Sequence, residues 1–330
     1  MNWNSKKVLI TGAGGFIGSH LVEELATAGA RVTAFVHYNS RSDEGNLKFL
    51  DSRIRNEINI VFGDIRDFFS VKRSVKSMDV IFHLAALIGI PYSYSAPQSY
   101  MDTNIQGTLN VLQASLEAGT GKVVHTSTSE VYGTARYVPI DENHPLNAQS
   151  PYSATKIAAD KLAESFYHSF GLPVATIRPF NTFGPRQSAR AVIPTILTQL
   201  ISGTKEIRIG SLAPVRDFLY VKDTARGFMT VAESDKTIGE VTNVGTGIGV
   251  TIKEVLEECF HLTGRMPDIL LDDSRIRPEN SEVLKLVCNN NKAKNIMQWE
   301  PKYSLKDALS EVADFIKVNL HMYKPETYNI

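Results

Sequence analysis

Residues 8–29 read VLITGAGGFIGSHLVEELATAG, and this stretch constrains the fold more tightly than any other. An apolar run of strand type leads directly into glycines at 12, 15 and 18, which open an amphipathic helix that stops at Gly29. In that context each glycine has a physical task. Gly12 permits a tight turn, Gly15 lets backbone approach a pyrophosphate, and Gly18 allows the helix to pack closely on the strand. Free N–H groups at the helix N-terminus then face the anion. A bare glycine-rich turn is the alternative reading, and the strand–loop–helix setting disfavours it.

A second stretch, from Val123 to Lys156, carries the chemistry. It reads VVHTSTSEVYG, then a loop rich in Pro, Asn and Asp, then SPYSATK. Val123 and Val124 are of strand type and open into Thr126, Ser127, Thr128, Ser129 and Glu130. Pro151 suits the first turn of a helix, where its missing N–H has no partner to lose. Tyr152 and Lys156 then share a face at i, i+4. A tyrosine is a poor base at neutral pH, with an ordinary pKa of about 10, and a neighbouring lysine cation is expected to favour its phenolate. A Tyr-x-x-x-Lys pair also occurs by chance on surface helices. Here the upstream hydroxyls and the glycine loop argue for proton-transfer machinery.

The remaining strands alternate with helices. ARVTAFVH, Ile58–Phe62, Val80–Leu84 and VATIRPF read as strands, NIQGTLNVLQASLEAG as a helix, and LIGIPYSYSAPQSYMDTN as a long loop beside the site. This alternation predicts an α/β fold with a doubly wound parallel sheet, whose ligands bind beyond the carboxyl ends of the strands. Gly12, Asp64, Ala86, Thr128 and Asn181 all fall at such ends. Leu84, Ala85 and Ala86 are small or apolar enough to let a dinucleotide lie across them. Residues 1–180 are expected to form the dinucleotide-binding domain, with 216–245 returning to it. Residues 181–330 then form mainly a smaller substrate-binding lobe, where Arg186, Arg216 and Arg277 are available for bidentate phosphate contacts.

Composition excludes several classes. The 330 residues are 43% hydrophobic, with 35 acidic and 35 basic side chains, so neither nucleic acid nor an anionic membrane is expected as a partner. Cys259 and Cys288 lack the spacing of a zinc site or disulfide framework, and no metal is expected. With no signal peptide or long apolar run, a cytoplasmic location is expected.

The motifs TGAGGFIG, GDI, HLAA, TSTSEVYG, PYSATK, RPFNTFGPRQ, RDFLYV and RPENSEV together resemble the extended short-chain dehydrogenase/reductases that act on nucleotide sugars, over essentially the whole chain. The resemblance implies a Rossmann-type fold with a smaller C-terminal lobe, a tightly held and regenerated NAD or NADP, and a homodimer joined through a helical bundle. Gly12, Gly15, Phe16, Ile17, Gly18, Asp64, Ile65, Leu84, Ala85 and Ala86 would hold the dinucleotide with Tyr152 and Lys156. Asn181, Arg186, Val192, Arg216 and Arg277 would hold the substrate. By register with the superfamily, Val36 takes the place of the acid that binds an NAD ribose. With His37 and Arg41 close behind it, a 2′-phosphate could be accepted, a lean toward NADP that leaves NAD open.

Within the superfamily, 4-epimerases usually lack the carboxylate at Glu130, whereas 4,6-dehydratases carry it. Ser129-Glu130 is similar to GDP-mannose 4,6-dehydratases, while the segments around 83–104 and 180–196 look closest to the legionaminic acid type acting on UDP- or GDP-N-acetylglucosamine. The resemblance implies that Tyr152 with Lys156 removes the C4 hydroxyl proton, that Thr128 binds the same oxygen, and that Glu130 takes the C5 proton. The dTDP-glucose enzymes place an aspartic acid where this chain has Ser129, so the acid for the leaving hydroxyl stays open between Glu130 and a water. A 4-epimerase and a non-catalytic dinucleotide-binding protein are the competing expectations.

Overall fold

The structure, a computed structural model, describes residues 2–276 and 278–327. Its first half comprises β1 (Lys7–Thr11), α1 (Phe16–Thr27), β2 (Arg31–His37), a short α2 (Ser52–Glu57), β3 (Asn59–Gly63), α3 (Phe68–Val75) and β4 (Val80–His83). Two short helices follow, α4 (Ile90–Ser95) and α5 (Pro97–Tyr100), and a π-helical turn over Met101–Gln106 leads into α6 (Gly107–Ala118). Then come β5 (Lys122–Thr126), α7 (Pro151–Phe170) and β6 (Val174–Pro179).

These strands, with β11 (Val241–Val244), make a seven-stranded sheet in the order β11-β6-β5-β4-β1-β2-β3, every pair parallel. A parallel sheet is covered on both faces, which is why its strands are apolar on both sides. Val8 and Ile10 enter one core with Leu21 and Leu25, while Leu9 enters the opposite core with Ile81, Val123 and Phe166. The two-residue period of a strand divides the side chains in this way. Strand order reverses between β1 and β4, so the crevice at their carboxyl ends is the natural ligand position.

The second half leaves and rejoins this sheet. β7 (Asn181–Phe183), α8 (Val192–Ser202), β8 (Glu206–Ile209), β9 (Val215–Arg216) and β10 (Phe218–Tyr220) precede α9 (Val221–Glu233), which returns to the first core through Phe228 and Val231. After β11 come β12 (Val250–Thr251), α10 (Ile252–Thr263), β13 (Asp268–Leu271), β14 (Lys285–Leu286), α11 (Asn291–Met297) and α12 (Leu305–Val318). Leu197 of α8, Leu256 of α10 and Leu309 of α12 share a separate core, which makes the C-terminal lobe a packed unit.

Two sequence expectations are corrected. The stretch expected as a loop before Asn104 is largely helical, because Pro91 and Pro97 each stand at a helix start, where proline favours helix rather than breaking it. Asn104 does not open the following helix but sits inside the π-helical turn. Leu270 and Leu271 belong to β13, which pairs in parallel with β8.

Candidate active site

The glycine loop is shaped by close approach. Gly12 has φ +71°, and a methyl group there would stand 2.8 Å from the backbone nitrogen of Ala85, so β1 and β4 meet with no room for a side chain. A methyl on Gly18 would run into the carbonyl of Gly12, so this glycine is what lets α1 start against the loop. Asn46 N–H donates to Gly14 O at 2.9 Å, which pins the loop after β2 over the glycines. Thr11 Oγ1 accepts from Leu84 N–H and Ala85 N–H, both at 3.1 Å, and holds the end of β4 in place.

The hydroxyl cluster follows β5. Thr128 caps a 3₁₀ turn over Ser129–Tyr132, its Oγ1 accepting from Glu130 N–H at 3.3 Å. α7 begins under a capping box, in which Ser153 N–H donates to Ser150 Oγ at 3.1 Å and Ser150 N–H to Ser153 Oγ at 3.0 Å, with Pro151 in the first turn. That start fixes the phase of the helix, and Tyr152 and Lys156 both turn toward the carboxyl end of β5. Lys156 Nζ donates to Thr126 O at 2.6 Å.

Electrostatics correct one expectation. Burial pushes the Tyr152 phenol well above its ordinary value; the hydrogen bond with Thr128 pulls it back, and the nearby Glu130 charge pushes it further up. Burial thus outweighs the lowering expected from Lys156, whose ammonium donates to the Thr126 carbonyl rather than to the phenol. Burial lowers Lys156 to about 8, against the raising effect of Asp160.

One cleft of about 1050 Å³ gathers most of the residues singled out from sequence. Gly12, Gly15, Phe16, Ile17 and Gly18 line one end with His37 and Arg41, and Leu84, Ala85 and Ala86 line its floor. Thr128, Ser129, Glu130, Tyr152 and Lys156 form the middle, and Asn181 and Arg186 stand toward the C-terminal lobe. A glycine cradle that a Cβ would fill, continuous with a buried Tyr–Lys pair, fits a nicotinamide dinucleotide.

Other residues are placed elsewhere. Asp64 and Ile65 do not line the cleft: the Asp64 carboxylate is held by Arg66 at 2.5 Å, and Ile65 is buried under Gly107. The Arg186 guanidinium pairs with Glu23 at 2.7 Å, and Arg216, off the cleft, pairs with Glu282 at 3.1 Å. A buried arginine in a chain of balanced charge is stable where an acid meets it. Val192 begins α8 just beyond the cleft wall, which ends at Ala191, and Arg277 lies outside the described residues.

Sequence reasoning missed several wall residues. Arg190 lines the cleft near Gly89 and pairs with no carboxylate among the described residues, and Gln187 Oε1 is a buried acceptor without a partner, as is Oδ1 of the expected Asn181. Asp43 and Asn46 also line it, beside Arg41. The run GPRQSAR carried a signal for Arg190 that went unused. Among the described residues no helix is long and apolar enough to cross a membrane, and no cluster of His, Cys, Asp or Glu is arranged to hold a metal ion.

Comparison with known proteins identifies the family and the fold. Residues 9–312 match the family model described as GDP-mannose 4,6 dehydratase. The low-salt glycan biosynthesis protein Agl12 of Haloferax volcanii is 32% identical, over 93% of this chain and 97% of its own. DesIV of Streptomyces venezuelae, a dTDP-glucose 4,6-dehydratase solved with NAD, is 29% identical with a TM-score of 0.85, covering 97% of this chain and 99% of that one. A UDP-glucuronic acid 4-epimerase of Bacillus cereus, also solved with NAD, is 28% identical with a TM-score of 0.87, covering 96% of this chain and 100% of that one. Relatives thus include both dehydratases and epimerases.

Proposed function

The chain belongs to the NAD-dependent epimerase/dehydratase family of short-chain dehydrogenase/reductases, and we propose that within it the protein is a nucleotide-sugar 4,6-dehydratase acting on UDP- or GDP-N-acetylglucosamine. The observation that carries this reading is Glu130, on the turn after β5 and in the same cleft as Thr128, Tyr152 and Lys156. Epimerisation at C4 needs no base for C5, whereas loss of water across C5–C6 does.

Gly12, Gly15, Gly18, Ala85, Tyr152 and Lys156 would hold the dinucleotide. Bound there, an oxidised nicotinamide would supply a reversible acceptor for the C4 hydride and a positive charge that would favour the Tyr152 phenolate. Tyr152 then removes the C4 hydroxyl proton, with Thr128 hydrogen-bonded to the same oxygen. The ketone formed at C4 makes the C5 hydrogen acidic, and Glu130 takes it as general base. Departure of the C6 hydroxyl needs a proton, which Glu130, having just gained one, delivers directly or through a water; Ser129 beside it is too weak an acid. As C6 gains hydride, C5 would regain a proton from Glu130, which is recharged through water by the proton Tyr152 took from the C4 hydroxyl, and the product is a 4-keto-6-deoxy sugar.

Arg41 and His37 at the end of β2 favour acceptance of a 2′-phosphate, and Asp43 on the same wall offers an acceptor to a ribose hydroxyl, so the reading includes both NADP and NAD with a lean to NADP. The expected assembly is a homodimer.

The reading is tested by incubating the purified protein with UDP- and GDP-N-acetylglucosamine separately, without added cofactor, and following the sugar nucleotide by mass spectrometry. Loss of one water from either is expected. An unchanged mass with an inverted C4 by NMR would replace the dehydratase by a 4-epimerase.

A further inference from the structure

Beneath the Tyr152–Lys156 pair lies a buried charge cluster to which nothing above assigns a role. Asp160 stands four residues after Lys156 on the same face of α7 and is almost fully buried. Its Oδ2 accepts from Ser127 Oγ at 2.6 Å and from Arg178 Nη2 at 2.8 Å and Nε at 3.3 Å. Its Oδ1 accepts from His125 Nε2 at 3.0 Å. A carboxylate can only accept here, so His125 carries its proton on Nε2, and its Nδ1 is left without a partner. Arg178 completes the cluster by donating from Nη1 to the Tyr132 hydroxyl at 2.9 Å, which itself donates to Asn243 Oδ1 at 2.8 Å.

Two strands therefore meet one helix through one carboxylate: β5 by His125 and the adjoining Ser127, and β6 by Arg178, both held by Asp160 of α7. Ser127 and Thr126 are the two residues immediately before Thr128. One is tied to α7 by Asp160, the other by Lys156 through its carbonyl. An error in either tie would move Thr128 relative to Tyr152. Lys156 also needs a counter-charge, because a buried ammonium is costly to keep ionised. The groups around it are Tyr152 and Asp160 on its own helix, His125 on β5, His83 on β4, Arg178 on β6, Glu130 on the turn after β5, and Tyr100, whose ring meets Tyr152 edge-on. Burial keeps His83 and His125 neutral. Asp160 and Glu130 are then the negative charges among these, and Glu130 sits at the cleft, above Tyr152.

We propose that Asp160 is a positioning residue: held by Ser127, His125 and Arg178, it locks the end of β5 to α7 and is the fixed negative charge that keeps Lys156 a cation under Tyr152. The proposal rests on reading Tyr152 and Lys156 as hydride-transfer machinery, and it holds for dehydratase and epimerase alike. Asp160 never reaches the sugar.

The test compares the wild-type holoenzyme with Asp160→Asn/Arg178→Met, which removes both members of the buried pair so that no charge is stranded. Lysine is labelled with ¹³C at Cε, and the Lys156 resonance, assigned by its loss in Lys156→Arg, is titrated with pH. The wild-type midpoint is expected near the value of about 8 set by burial and Asp160. In the double variant it should fall by about one pH unit or more below that of Arg178→Met, which lacks the same cation, since the loss of a nearby opposite charge disfavours the ammonium. The alkaline limb of cofactor reduction should move with it, and Asp160→Glu, which keeps the charge, should restore most of the shift. A folded double variant with the midpoint of Arg178→Met would overturn the proposal. The titration needs no substrate, so failure of the dehydratase reading would show separately, as no loss of water from the sugar nucleotide.

Discussion

Lys156 Nζ and the carbonyl oxygen of Thr126 lie 2.6 Å apart, so the ammonium of α7 is anchored on the last residue of β5 rather than free beside the phenol. The lysine thereby has two tasks at once, charge for Tyr152 and register for Thr128. Replacing it by methionine removes both. Cofactor reduction on addition of nucleotide sugar, followed by nicotinamide absorbance, should fall by about 10²–10⁴-fold, and more than in Lys156→Arg, which keeps a donor for Thr126.

Glu130 and Tyr152 should separate the two halves of the reaction. Tyr152→Phe should leave the nicotinamide oxidised in the presence of substrate. Glu130→Gln should still reduce it, while water loss drops by about 10²–10⁴-fold. Mass spectrometry of the sugar nucleotide together with absorbance reads both. An unaltered dehydration rate in Glu130→Gln would remove Glu130 from the mechanism.

The protein should lose stability as it is acidified from about neutrality. His20 is buried against Phe16, its Nε2 donating to Pro185 O at 3.0 Å, and burial, helped by the Arg186 charge, lowers it to about 3. Between about 6.5 and about 3 the unfolded chain binds a proton that the folded chain refuses, so the stability present above that window is lost as pH falls through it. His20→Gln should flatten the dependence by at most about 1.4 kcal/mol per pH unit, measured by urea unfolding at several pH values. His83 and His125 act with the same sign.

Gly12→Ala should cost both fold and cofactor. It places a Cβ at positive φ and against the backbone of Ala85, a strain of about 1–3 kcal/mol. A lowered Tm and a purified protein without bound nicotinamide dinucleotide are expected.

Arg41 should set the choice of dinucleotide. Arg41→Ala is expected to weaken NADP binding about tenfold relative to NAD, a difference of roughly 1.4 kcal/mol, by calorimetry on apoprotein. Equal weakening of both would mean that Arg41 contacts neither 2′ position.

The sheet was legible because its signals are local: apolar strand runs, glycines at fixed spacing, and helices closed by Gly29, Gly119 and Gly171. The middle of the site was legible for the same reason, since Thr128, Glu130, Tyr152 and Lys156 lie within 29 residues of sequence. What escaped were pairings between distant segments. Arg186 meets Glu23 and Arg216 meets Glu282 only after the lobes fold, and an arginine offered to a phosphate reads the same in sequence as one already bound to an acid. Asp160 carried a usable signal, one turn beyond Lys156, but its partners Ser127 and Arg178 come from just past the end of β5 and from β6. The apparent loop before Asn104 misled because Pro91 and Pro97 look like breakers when each is a helix start.

Asn104 sits in the π-helical turn and binds Leu87 through both its N–H, at 2.8 Å, and its carbonyl, at 3.0 Å, while reaching Thr155 of α7 at 3.0 Å. A π-helical turn spends more residues per revolution than the helix that follows it, so segment 87–100, whose residues Ile88–Pro91 line the cleft, is out of phase with α6. Residues can be exchanged or inserted in that wall, and the slack is taken up at the wide turn while α6 keeps its seat on the sheet. The turn acts as an expansion joint between the wall of the cleft and the core.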